Sequence, residues 1–346
     1  MTIELSSLGI SVEVSQIDRE LKKLWADDGG ATTRASLINL AVYSEKPESL
    51  ARNTELVSQI TENHACRALV IEANPRAEKD RAQAWINAHC HVRTGAKQVC
   101  SEQISFRLEG TGLLPSILFS HLDSDLPLYL WWQSEFREIP GPRLWAWVNR
   151  LIYDSRDWGD FDAQMRFVEA AQCEGQQRQM ILCDLNWARL LHFRLAFSQF
   201  FDHPASHHHF DKIETVSLVF GRGFRPTALL FLGWIAAQLD WEVHRTEDSF
   251  ELKNRARKSV SVELSENGKA PLMSFSARTH EVEFRVQRAE CGDLLKVCRG
   301  KPGQEHAHQS LPADDGDLAT LVSEELMRGG DRRVYGRAVE KVRTLL

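Results

Sequence analysis

Clustered histidines are the first residues in this sequence able to do chemistry. His89-Cys90-His91 and His207-His208-His209 each bring metal-binding donors close together. Structural zinc needs ligands at set spacings, because neighbouring side chains diverge along a strand or helix. Neither cluster has a Cys or His partner at such a spacing, so both read as polar surface and no metal is assigned. The chain also lacks G-x-S-x-G, H-E-x-x-H and Walker A patterns, so no residue is marked as catalytic and no cofactor is expected. An anion has one candidate seat, Gly221-Arg222-Gly223 with Arg225, between a strand and a helix that carries Pro226 in its first turn. Backbone N–H groups and arginines there could meet a phosphate. The same residues also suit a plain turn, with Gly for positive φ and Pro for the first helical turn.

Other residues suit recognition better than reaction. Asp154-Ser155 follows an apolar strand, where open α/β sheets place functional side chains, and equally caps the next segment. Trp131-Trp132 ends the run Leu126-Pro127-Leu128-Tyr129-Leu130. Adjacent strand residues face opposite sides, so either both indoles lie in a doubly covered sheet or one approaches a partner surface. Trp145 and Trp147 share a face if extended. Arg189 stands about 200° around a helix from Trp187, free for solvent or for a bidentate pair with Asp154 or Asp157. The tail from Asp331 to Arg343 is basic, with Arg332 and Arg333. Its stripe of Tyr335, Ala338, Val339 and Val342 fits a helix that docks on its own domain or on an acidic partner.

The elements that position these residues follow from periodicity. Apolar runs at Ser36–Tyr43, Cys66–Glu72, Pro127–Trp132 and Leu151–Tyr153 read as buried strands, with Ile104, Phe106 and Leu108 alternating in another. Helical spacing predicts helices from Ser15, from Pro47, over Arg76–Ala88 and over Leu113–Leu122. This alternation predicts an α/β N-terminal domain with a largely parallel sheet, set at residues 1–178. Residues 179–346 read as α+β. Asp184 caps a long helix ended by Pro204, and strand Thr215–Phe220 precedes an antiparallel meander with a hairpin at Asn267-Gly268. Lys301–Asp317 reads as a surface loop.

With 346 residues, the chain has room for about two domains. Lys plus Arg number 42 against 48 Asp plus Glu, and a net charge of −6 argues against nucleic-acid binding, which needs a basic face. No signal segment is visible, and the longest apolar stretch is too short to span a membrane, so a cytoplasmic protein is expected. Seven cysteines without a C-x-x-C pair read as reduced thiols, and no disulfide is expected.

Five segments in order carry a family resemblance: His64-Ala65-Cys66-Arg67, Asp125 to Trp132, Ile152-Tyr153-Asp154-Ser155, Asp184-Leu185-Asn186-Trp187-Ala188-Arg189, and Val334-Tyr335-Gly336. Over nearly its whole length the chain resembles the OpcA family of glucose-6-phosphate dehydrogenase assembly or activator proteins. It departs from the family pattern at Ala65, where proline is frequent, and at Gln133-Ser134, where Pro-Gly follows the Trp pair. The resemblance implies a non-enzymatic partner that binds the dehydrogenase and favours its active oligomer. The partner-binding candidates are Trp131, Trp132, Asp154, Ser155, Arg189, Arg332, Arg333 and Tyr335. The alternative is an enzyme or sensor that binds a sugar phosphate or nucleotide at the 221–227 turn.

Overall fold

The computed structural model describes residues 8–26, 32–92, 98–137, 142–178, 180–202, 204–245, 250–290, 292–304, 307–313, 316–328 and 333–346. Two compact units divide the chain. The first holds Met1–Tyr153, Phe167–Cys183 and Asp317–Gly329, and the second holds Asp154–Arg166, Asp184–Gly316 and Gly330–Leu346.

Among the described residues, nine strands build the sheet of the first unit. They are β1 (Ile10–Val12), β2 (Thr32–Arg34), β3 (Ile38–Ser44), β4 (Cys66–Asn74), β5 (Arg81–Val92), β6 (Gln98–Glu109), β7 (Leu128–Trp132), β8 (Val148–Tyr153) and β9 (Ile181–Asp184). Their order is β1-β5-β6-β4-β3-β7-β8-β9, with β2 beside β6. Strands β6, β4, β3, β7 and β8 run parallel, and β1 and β5 are antiparallel additions at one end. The apolar runs of β3 and β4 are buried along nearly their whole length, as parallel strands covered on both faces must be. Helix Ser49–Thr61 turns Leu50, Val57 and Ile60 inward. Near the far end of the chain, helix Leu318–Met327 belongs to this unit. Buried Arg150 donates to the carbonyls of Glu325 (2.7 Å) and Arg328, which lie where a helix end leaves acceptors unpaired.

The second unit carries an eight-stranded sheet among the described residues. Its strands are β10 (Thr215–Gly221), β11 (Glu242–Arg245), β12 (Phe250–Lys253), β13 (Ser259–Gly268), β14 (Ser274–Arg278), β15 (Glu283–Arg288), β16 (Leu294–Gly300) and β17 (Ala307–Pro312). The order is β11-β12-β13-β10-β14-β15-β16-β17, antiparallel throughout except β10 with β13. Helix Arg225–Gln238 is buried almost all round. Gly233 sits where the tail helix Arg333–Leu345 crosses it: a Cβ there would stand 2.6 Å from Val342 Cγ2 and 2.8 Å from the Ala338 carbonyl. The stripe of Tyr335, Ala338, Val339 and Val342 is buried, so the basic tail docks within its own unit.

The fold class is as expected: a largely parallel α/β first unit and a mostly antiparallel α+β second one. Several elements differ. The alanine-rich span Arg76–Ala88 is not a helix. Residues from Arg81 form β5, because pairing with β6 outweighs the helix propensity of Ala82, Ala84 and Ala88. The same strand pairing decides a second feature. The β5–β6 register sets Cys90 opposite Cys100, and the two form a disulfide, against the expected set of reduced thiols. Asn267-Gly268 closes no hairpin, since β10 lies between β13 and β14. The long helix from Asp184 is broken into Leu185–Arg189, Leu191–Ser198 and a 3-10 turn at Gln199–Phe201, and Pro204 opens a helix instead of ending one. Part of the expected loop Lys301–Asp317 is strand β17, paired with β16.

Candidate functional site

The second unit brings four distant stretches of sequence into one buried polar cluster. Asp184 starts it. Its φ of −91° and ψ of 116° place it before the helix, and its carboxylate accepts from the Asn186 amide at 2.9 Å, an N-cap bond. The same oxygen accepts from the Ser155 amide at 3.1 Å, and Tyr335 Oη reaches the other oxygen at 3.3 Å. Asn186 continues the chain of bonds. Its Nδ2 donates to Ser155 Oγ (2.9 Å), and its Oδ1 accepts from Thr227 Oγ1 (2.6 Å). Segments 154–155, 184–189, 227 and 335 are thereby joined.

Beside this network, Arg189 holds Asp154 through a two-point pair, with Nη1–Oδ1 and Nη2–Oδ2 both 2.7 Å. The Arg189 side chain is 2% exposed and that of Asp154 is 14% exposed, so this is a largely dry ion pair and not a solvated charge. A planar guanidinium suits that geometry as lysine would not. Asp184 sits beside Asp154 and is fully enclosed. Burial first, and the neighbouring carboxylate second, push its pKa up to about 7, against the pull of its backbone bonds. Trp187 packs against this cluster from within the unit, with Arg194 over its ring at 3.5 Å and the tilted Tyr335 ring at 5.5 Å.

The recognition candidates are thus mostly interior. Ser155, Arg189 and Tyr335 are buried, and Asp154 is half-buried. Trp131 and Trp132 are both buried; Trp132 stacks on Tyr43 at 4.0 Å and on Phe136 at 5.9 Å, so both indoles lie in the core of the first unit. Arg333 is exposed on the tail helix, and Arg332 lies outside the described residues. At the anion seat, Gly223 has the expected positive φ of 80° and Arg222 and Arg225 are exposed. The Gly223 amide already donates to Glu266 Oε1 at 2.9 Å, so a protein carboxylate holds the position an anion would take. Gly221 donates to the Ala270 carbonyl at 2.9 Å.

Sequence spacing missed some juxtapositions. Glu281 comes to His208 and His209, with possible ligand atoms within 4.8 Å of one another, a grouping that only the fold creates. Thr227 carried no signal beyond its polarity, and Asn186 stood only within a segment of the family resemblance. Trp145 ends a helical turn and is buried, whereas Trp147, two residues on, is 60% exposed.

Fold and site together define a protein of two units, one α/β and one α+β, whose chemistry-bearing side chains in the described cluster bond chiefly to one another. Comparison with known families is specific. Residues 57–170 match the N-terminal domain model and residues 181–339 the C-terminal domain model, each described as a domain of a glucose-6-phosphate dehydrogenase subunit. The chain belongs to the OpcA family of glucose-6-phosphate dehydrogenase assembly proteins.

A relative named OxPP cycle protein OpcA, from Synechocystis, is 23% identical over 91% of this chain and 71% of its own length. Its namesake from Nostoc punctiforme is 27% identical over 54% of this chain and 40% of its own length. Solved structures with some likeness include an aldose-aldose oxidoreductase from Caulobacter crescentus, at 9% identity, TM-score 0.47, covering 88% of this chain and 94% of that one. Another is the UDP-N-acetylglucosamine 3-dehydrogenase GnnA from Acidithiobacillus ferrooxidans, at 9% identity, TM-score 0.43, covering 91% and 97%. A likeness this slight carries no argument about reaction. Among the described residues, no helix is long and apolar enough to cross a membrane.

Proposed function

We propose that this chain is a non-enzymatic assembly factor that binds glucose-6-phosphate dehydrogenase in the cytoplasm and favours its active oligomer, in support of the oxidative pentose phosphate pathway. Membership of the family supports the partner, and the relatives' name supports the pathway. The structural observation that carries the non-catalytic part is the way the polar cluster is used. Asp184 accepts from two backbone amides, Arg189 is closed onto Asp154, and the Gly223 amide is closed onto Glu266. Groups engaged in this way fix segments in place and leave little to hold a substrate. Activation then needs only a higher affinity for the active assembly than for the inactive one. A coupling of about 1–3 kcal/mol shifts such an equilibrium by about 5- to 150-fold.

The test mixes the purified chain with its cognate dehydrogenase. Expected are no dehydrogenase activity from the chain alone, a raised rate in the mixture, and a larger dehydrogenase assembly by analytical ultracentrifugation. Unchanged rate and unchanged sedimentation would remove the proposal.

A further inference from the structure

The first unit carries an apolar groove at the end of its sheet where the parallel strands begin. Its volume is about 910 Å³, and its walls include Phe119, Leu126, Pro127 and Trp147, with Asp123 and Asp125 among them. The Phe119 and Trp147 rings stand 5.7 Å apart, and Trp147 is 60% exposed. At the same end of the sheet, just before β3, Leu37 is 71% exposed. The groove is held open by bonds beneath it. Asn39, fully buried, donates through Nδ2 to the carbonyls of Asp123 (2.9 Å) and Leu126 (3.0 Å) and accepts from the Asp123 amide (2.9 Å). Asn149 Oδ1 accepts from the Leu128 amide at 2.9 Å. A wall fixed in advance has little ordering entropy left to lose on binding.

Two features decide what fits. Small anionic ligands of open α/β sheets bind beyond the carboxyl ends of the strands, and this groove lies at the opposite end. Among the described residues its lining holds two carboxylates and no Lys or Arg, which disfavours a phosphate or a nucleotide. An exposed indole beside an apolar cleft is the residue type that most often anchors protein interfaces. We infer that this groove docks a protein partner through an apolar side chain flanked by arginine or lysine. The apolar group packs into the groove against the touching Phe119 and Trp147 rings, and the cation meets Asp123 or Asp125 or lies over the indole. The inference rests on the reading of the chain as a protein-binding module and names the surface that module uses.

The test measures binding of the dehydrogenase to the full chain by interferometry, using wild type, Trp147→Ala, the double variant Asp123→Asn/Asp125→Asn, and Met327→Ala. Met327 is an exposed apolar residue elsewhere on the same unit and serves as the control. Expected are a loss of about 10-fold or more for Trp147→Ala, several-fold weaker binding with a flatter salt dependence for the double variant, and no change for the control. Circular dichroism melts confirm that each variant is folded. If wild type binds and the groove variants bind equally well, the groove is overturned while the proposed function stands. If wild type does not bind the dehydrogenase, the proposed function fails. The groove is then judged by a labelled Arg-Leu-Arg-Leu-Arg peptide against its Glu-Leu-Glu-Leu-Glu counterpart. Binding of the basic peptide that Trp147→Ala abolishes upholds the groove, and absent or equal binding of the two overturns it.

Discussion

Replacing Arg189 by alanine is expected to weaken the second unit itself. The pair with Asp154 is two-pronged at 2.7 Å, and the guanidinium is 2% exposed. An exposed pair would be worth only about 0–1 kcal/mol. Removing one partner of a buried pair instead strands the other charge, at a typical cost of about 3–5 kcal/mol. Asp154 keeps 14% exposure, still accepts from the Arg156 amide and has the Arg156 guanidinium 3.9 Å away, which places the loss at the lower end, about 3 kcal/mol. With a urea slope near the upper typical value of ~3 kcal/mol/M, the midpoint for this unit falls by about 1 M. The assay is a urea titration, with hydrogen exchange across residues 185–198 and 333–345 assigning the transition to the second unit. The double variant Asp154→Asn/Arg189→Ala should regain much of the loss, because no carboxylate is then left without its close, two-point cation. A midpoint shift below about 0.3 M for Arg189→Ala would mean that the pair behaves as a surface bridge whose burial adds nothing.

Three further outcomes are expected. Asp184 has its pKa raised from 3.8 to about 7, so the native state keeps a proton that the unfolded chain releases. Wild-type stability from this group therefore declines as pH rises from about 4 to about 7 and then levels, and Asp184→Asn should gain on wild type between about pH 5 and pH 8 in paired melts. A gain that is flat with pH would count against the assignment. Gly233→Ala should cost about 1–3 kcal/mol and expose the tail helix to protease, and adding Val342→Ala should recover only part, because the Ala338 carbonyl cannot retreat. Unchanged melts and digestion would show that the two helices separate freely. Trp132→Ala should lower stability by about 3–5 kcal/mol, read as a depressed thermal midpoint, whereas the exposed Trp147→Ala should melt near wild type. Equal melts for both variants would mean that Trp132 is not core.

The strand–helix alternation of the first unit is legible from residue order alone, because runs such as Ile38–Ser44 and Cys66–Asn74 can be satisfied only by burial on both faces. Residue order also marked Asp184 as a cap and the tail as an amphipathic helix, since both signals are local. The pairing of Arg189 with Asp154 was open to it as chemistry, one fork and one carboxylate, but not as a buried bond. Tertiary structure decided the rest. Strand pairing turned an alanine-rich span into β5 and set Cys90 against Cys100, and the insertion of β10 between β13 and β14 cancelled a hairpin that Asn267-Gly268 favours locally. Packing placed Trp131 and Trp132 in the core and left Trp147 exposed beside Phe119. The physical reason is one of range. Capping and periodicity act over a few residues and are written in order along the chain, whereas register, enclosure and charge pairing depend on residues as far apart as Asp184 and Tyr335, which only the folded chain brings together.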